Sequence, residues 1–98
     1  AHTFESMERT LNDLFGRGVH RIIIDMENLQ YISSAGAGVF INAMIRAREA
    51  GGDVVLFGVG PGVYETLDLL GLIKIFSIAE SKEDAVALVA SSEAGGGR

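Results

Sequence analysis

Short apolar runs alternate with segments of helical period along this chain, and that alternation limits the folds open to it. Residues 20–26 (HRIIIDM) and 53–58 (DVVLFG) carry apolar side chains at successive positions. Continuous rather than alternating hydrophobicity marks strands covered on both faces, the pattern of parallel sheets. Residues 74–78 (KIFSI) read as a third short strand. Between them the period changes. Phe4, Met7, Leu11, Leu14 and Phe15 recur at helical spacing over residues 3–15, with Thr3 as a cap and Gly16 or Gly18 as the end. Residues 35–50 are helical again and stop at Gly51-Gly52. Pro61 suits a first helical turn, and Val63, Leu67 and Leu70 form the core stripe of a helix closed by Gly71. Ser81 with Asp84 resembles a capping box, followed by Ala85, Leu88 and Val89 on one face.

One helix followed by three strand–helix units predicts an α/β fold: a small, mostly parallel sheet with surrounding helices. Three strands make a thin sheet, so both outer edges need covering, pairing or blunting. At 98 residues the chain suits one domain, expected over residues 1–91, with the Gly-rich residues 92–98 as a flexible tail. The absence of cysteine excludes disulfides, thiolate chemistry and Cys-based zinc sites, and suits a reducing cytoplasm. A net charge of −5 without a Lys/Arg cluster argues against nucleic acid and anionic membrane surfaces. No apolar run approaches the roughly 18–20 residues of a membrane span.

The candidate working site is residues 30–40, QYISSAGAGVF. Open α/β sheets bind and react at the carboxyl ends of their strands. Asp25 ends the first strand, and Ser33 and Ser34 follow at the expected start of a helix. One reading is structural: a serine hydroxyl caps the helix by accepting a backbone N–H. The other uses the same geometry for regulation. A helix start carries partial positive charge and unpaired N–H groups, so it tolerates a phosphate. Gly36, Ala37 and Gly38 leave space around the hydroxyls. Phosphorylation would add about −1.5 to −2 charges, compatible with the fold yet hostile to a docked partner. On the helix, Val39, Phe40, Ala43, Met44 and Ala47 form the core stripe, while Ile41, Ile45 and Gly38 fall on its shoulder. Either neighbouring elements cover those isoleucines, or they form an apolar interaction patch beside the serines.

Other chemistries fit less well. GVGPG between strand and helix lacks the third glycine of a dinucleotide fingerprint, where Val63 stands, and a tight turn explains it better. A serine hydrolase would need a base. Of the two histidines, His2 is terminal and His20 starts the first strand, opposite Ser34. The acidic residues read as solvated helix charges rather than a metal site. Tyr31 and Tyr64 read as partly buried packing residues. Asp25 is expected to orient the serine loop through backbone N–H groups, with a direct part in phosphorylation as the alternative.

Taken together, the strand ending at Asp25, the SSAG turn, AGGDVVLFGV and the P-x-V…LLGLIKIF block resemble the STAS domain of bacterial anti-sigma factor antagonists over roughly residues 1–90. The resemblance implies a non-enzymatic, cytoplasmic transcription regulator working by partner switching. The unmodified antagonist binds an anti-sigma factor that is itself a serine kinase, and a PP2C-type phosphatase reverses the phosphorylation. The family pattern Asp-Ser-Ser/Thr-Gly, aligned through Gly36, places the phosphoacceptor at Ser34, with Ser33 as second choice and in the place of the Asp. Ser33, Ser34, Gly36, Gly38, Ile41 and Ile45 become the expected partner-binding residues, with Asp25 supporting the turn. The domain itself is expected to need no cofactor and no metal. The family usually begins with a pair of strands before the first helix, and this chain is expected to lack them, which would leave a sheet edge open to homodimer pairing. The alternative reading is a non-phosphorylated STAS module that acts as a scaffold or small-ligand sensor.

Overall fold

The computed structural model describes residues 2–91, which form α1 (His2–Gly16), β1 (Arg21–Asp25), α2 (Ser34–Glu49), β2 (Asp53–Phe57), α3 (Pro61–Leu69), β3 (Ser77–Ala79) and α4 (Lys82–Ser91). The strands are all parallel, in the order β1-β2-β3. Ile22 lies opposite Val54, and Ile24 opposite Leu56, which in turn faces Ile78 across the other ladder. Because side chains alternate along each strand, these residues share one face. That face packs against Leu11 and Phe15 of α1, Phe40, Ala43, Met44 and Ala47 of α2, and Val63 and Leu67 of α3. Ile23, Val55, Phe57 and Ala79 point to the other face, where α4 covers them with Ala85 and Val89. Every residue of β2 is buried, as the unbroken hydrophobicity of Val54–Phe57 requires. Phe40 is fully buried at the centre of the main core. Burial of a side chain of that size contributes about 1.5–3 kcal/mol.

The ends of the strands farthest from the serines are joined by a polar clamp. Asp53, buried at the start of β2, accepts hydrogen bonds at Oδ1 from Arg48 Nε (2.9 Å) and Val54 N (2.8 Å). Its Oδ2 accepts from Ser77 Oγ at 2.6 Å. Arg48 Nη2 also donates to the Ile75 carbonyl at 2.9 Å. One guanidinium thus ties the last turn of α2 to β2 and to the approach to β3. The same positive charge lies at a helix C-terminus, where the macrodipole favours it.

Several elements differ from the sequence expectation. Thr3 lies inside α1 rather than capping it, because the helix already includes His2. The third strand is shorter than KIFSI. Lys74 and Ile75 form a turn, with Ile75 N and Phe76 N both donating to Leu72 O, and only Ser77–Ala79 pair with β2. Leu70 follows the last turn of α3 and is 44% exposed, so Val63 and Leu67 alone carry that stripe inward. Leu88 is likewise exposed, since α4 meets the sheet through Ala85 and Val89. Ser81 Oγ accepts from Asp84 N at 3.1 Å, the first half of the expected capping box. The residues expected to form the tail, 92–98, lie outside the described residues.

Arg48→Ala would leave a buried carboxylate short of its cation. It is expected to destabilise the domain by about 1–3 kcal/mol, read as a lower urea midpoint at unchanged slope. A change under about 0.5 kcal/mol, the range of an inert surface substitution, would contradict the clamp.

Candidate functional site

The two serines divide their work. Ser33 is the N-cap of α2, with extended backbone (φ −88, ψ 167), and its Oγ accepts from Gly36 N at 3.0 Å. Its carbonyl accepts from Ala37 N at 2.9 Å and opens the helical ladder. Ser34 is therefore the first helical residue, and it is exposed. No hydrogen bond fixes its hydroxyl among the described residues. The amides of Ser34 and Ala35 have no acceptor within the helix, as at any helix start. The hydroxyl thus stands beside polarised N–H groups without being consumed by them.

The packing behind this turn was not foreseen from sequence. The Phe4 ring of α1 lies over Gly36, where a Cβ would come within 2.7 Å of it. Phe4 also meets Phe40 edge-on, with centroids 6.1 Å apart and planes at 80°. Gly36 is therefore buried and serves contact between α1 and α2, not close approach by a partner as expected. Helical spacing marked Phe4 as apolar, but nothing local revealed which glycine it would cover. Around this contact runs an open, mostly apolar groove of about 720 Å³, lined among others by Phe4, Glu5, Glu8, Tyr31, Ala35 and Val39. Tyr31 is 75% exposed there; Tyr64, on α3 and outside this groove, is 47% exposed, and both are more open than packing residues.

The shoulder of α2 is divided. Ile45 is 45% exposed, while Ile41 is half-buried and packs against the main core. Gly38 is half-buried with open space where a side chain would stand. Asp25 is exposed, and its Oδ1 accepts from Glu27 N at 2.9 Å. It braces the first turn after β1 rather than the serine turn six residues further along. The GVGPG segment is a packed turn: a side chain on Gly62 would strike the Gln30 carbonyl and lie 3.0 Å from the Tyr31 ring. His20 stacks on Phe15 at 6.0 Å, at the start of β1 and thus at the opposite end of that strand from the serines. Among the described residues no group of three or more His, Cys, Asp or Glu is placed to hold a metal ion. No described helix is long and apolar enough to cross a membrane.

The STAS domain family model matches residues 1–85. The chain belongs to the STAS domain family. A Bordetella bronchiseptica protein, BtrV, described as a candidate anti-sigma factor antagonist, is 35% identical over 85% of this chain and 72% of its own length. The anti-sigma F factor antagonist of Paenibacillus polymyxa is 28% identical over 87% of this chain and 74% of its own. A Thermotoga maritima crystal structure, described as a candidate anti-sigma factor antagonist, superposes with a TM-score of 0.84 at 20% identity, covering 92% of this chain and 78% of that one. That likeness confirms the small α/β STAS fold expected from the sequence.

The division of labour between the serines makes a sharp stability prediction for this STAS domain. Ser33→Ala removes the cap and is expected to cost about 0.5–2 kcal/mol, with Ser33→Asp restoring most of it. Ser34→Ala is expected to stay within about 0.5 kcal/mol of the parent. Thermal unfolding of the three variants checks this. Equal losses at both serines would show that the cap is shared.

Proposed function

We propose that this STAS domain is the antagonist in a bacterial partner switch and binds an anti-sigma factor through the serine turn. The bound partner is a serine kinase that phosphorylates Ser34 with its own ATP and magnesium, and a PP2C-type phosphatase restores the free hydroxyl. The chain acts as a cytoplasmic binding regulator of transcription rather than an enzyme. One observation carries this reading: Ser34 is exposed at the first position of α2 with its hydroxyl uncommitted, because Ser33 already caps the helix. The names of the relatives point the same way.

The physical consequence of modification follows from that position. A phosphate on Ser34 would stand at the positive end of the helix macrodipole, next to amides without intrahelical acceptors. The fold accommodates the charge, so modification leaves the domain intact. A partner seated over the turn, by contrast, must desolvate a dianion without a matching cation, and docking is lost. Gly38 and Ile45 extend the contact surface along the same helix. Ser33 stands where the family carries an aspartate, so one fixed negative charge beside the acceptor is replaced by a neutral cap.

Incubation with the cognate kinase and ATP is expected to add one phosphate, located at Ser34 by fragment mass spectrometry and absent in Ser34→Ala. Ser34→Asp is expected to weaken kinase binding tenfold or more in a calorimetric titration, an effect of about 1.4 kcal/mol. Phosphate found elsewhere, or full affinity in Ser34→Asp, would contradict the switch.

A further inference from the structure

The groove between α1 and the serine turn carries charge of one sign only. Glu5 and Glu8 line it, and no Lys or Arg does. Both glutamates are exposed, and neither makes an ion pair or a hydrogen bond among the described residues. Three residues apart on one helix, they share a face and repel each other. Glu5 has a structural reason for its place, because it lies in the first turn of α1, where the macrodipole favours an anion. Glu8 lies a turn further on, where that effect has fallen away. Tyr31 lines the same groove, and its ring is held although it is 75% exposed. A Cβ on Gly62 would come 3.0 Å from the ring, so the ring rests against the first turn of α3. Phe4, Ile32 and Val39 give the groove apolar walls, and Ser33 and Ala35 bring it to either side of Ser34.

An exposed aromatic ring, two unanswered carboxylates and apolar walls are together what an arginine side chain requires. Its planar head stacks on an aromatic face and gives paired N–H groups to a carboxylate, while its aliphatic stem lies on apolar surface. A lysine ammonium matches the charge but not the plane. We propose that this groove receives an arginine side chain of the protein that docks on the serine turn, with the guanidinium held by Tyr31 and Glu8 and the stem laid along Phe4 and Val39. The inference rests on the reading of that turn as a docking site and names the chemistry of the partner there. At about 720 Å³ the groove has room for apolar neighbours of the arginine as well. It is an open groove, whereas a small-molecule site buries most of its ligand. A second copy of this chain is a poor occupant, because each copy carries a net charge of −5. The pairing also suits the switch. Ser33 is neutral, so the two glutamates are the only charged residues in the lining. They answer the guanidinium, which leaves a phosphate on Ser34 unmatched and adds a third negative group around the turn.

The test needs no kinase. Three capped pentapeptides, identical except for arginine, lysine or citrulline between two leucines, are titrated into isotope-labelled protein and followed by amide shifts. Citrulline keeps the shape of arginine without its charge. The arginine peptide is expected to bind at least threefold more tightly than the lysine peptide and at least fivefold more tightly than the citrulline peptide. Its shifts are expected to centre on Glu5, Glu8, Tyr31 and Ala35. Glu8→Gln and Tyr31→Ala, both at exposed positions, are each expected to weaken it threefold or more without changing the thermal midpoint by more than a few degrees. No saturable shifts, equal binding of the arginine and citrulline peptides, shifts centred elsewhere, or full affinity in both variants would overturn the proposal. So would groove amides that shift with protein concentration in the absence of peptide, because the groove would then belong to a second copy. If the arginine peptide binds as expected and the kinase adds no phosphate to Ser34, the fault lies with the phosphorylation reading and not with the groove.

Discussion

No side chain of β2 is left open to water, and the rest of the architecture follows from that constraint. A parallel strand buried on both faces needs a neighbour on each side and a helical layer above and below. β1 and β3 supply the neighbours. α1, α2 and α3 close one face and α4 the other. The Asp53 carboxylate heading this buried strand then needs a cation, and Arg48 at the end of α2 provides it. Through that contact the helix is fixed along its length relative to the sheet. The other end of α2 is where the serine turn emerges.

Seen from α2, the functional site is a helix start whose local demands are already met. Ser33 satisfies the Gly36 amide, and the Phe4 ring fills the space above Gly36. The hydroxyl of Ser34 then has no structural duty. A group that the fold does not need can be modified without cost to the fold, and the positive pole of the helix favours an anion there. Under the proposed function, stability rests on Ser33 and signalling on the adjacent Ser34. Ser33 holds the capping role with a neutral side chain.

Much of this was legible from residue order. The buried runs around Ile22–Ile24 and Val54–Leu56 announced the parallel sheet, because continuous apolar character has few other solutions in so short a span. The serine turn was legible for a similar reason: small polar residues between strand and helix have a narrow set of uses. Features that depend on distant partners were not. The apolar KIFSI could not reveal that Leu72 would hold Ile75 and Phe76 in a turn. Leu70 and Leu88 fit helical stripes on paper, but the angle at which each helix meets the sheet left them outside. Gly36 looked like access for a partner, and only the arrival of Phe4 from α1 shows that the space is filled from within. Asp25 ends its strand as expected, yet its reach extends only to Glu27.

The claim on which the functional account depends is that a dianion at Ser34 leaves the domain folded and alters only what can dock. The direct measurement is the thermal midpoint and α2 amide exchange of the chain carrying phosphoserine at position 34, made without a partner. The account predicts a midpoint equal to or above that of the unmodified chain, with unchanged or slower exchange in the first turn of α2. A lowered midpoint with faster exchange in that turn would mean that phosphorylation acts by loosening the helix, and the account would be wrong.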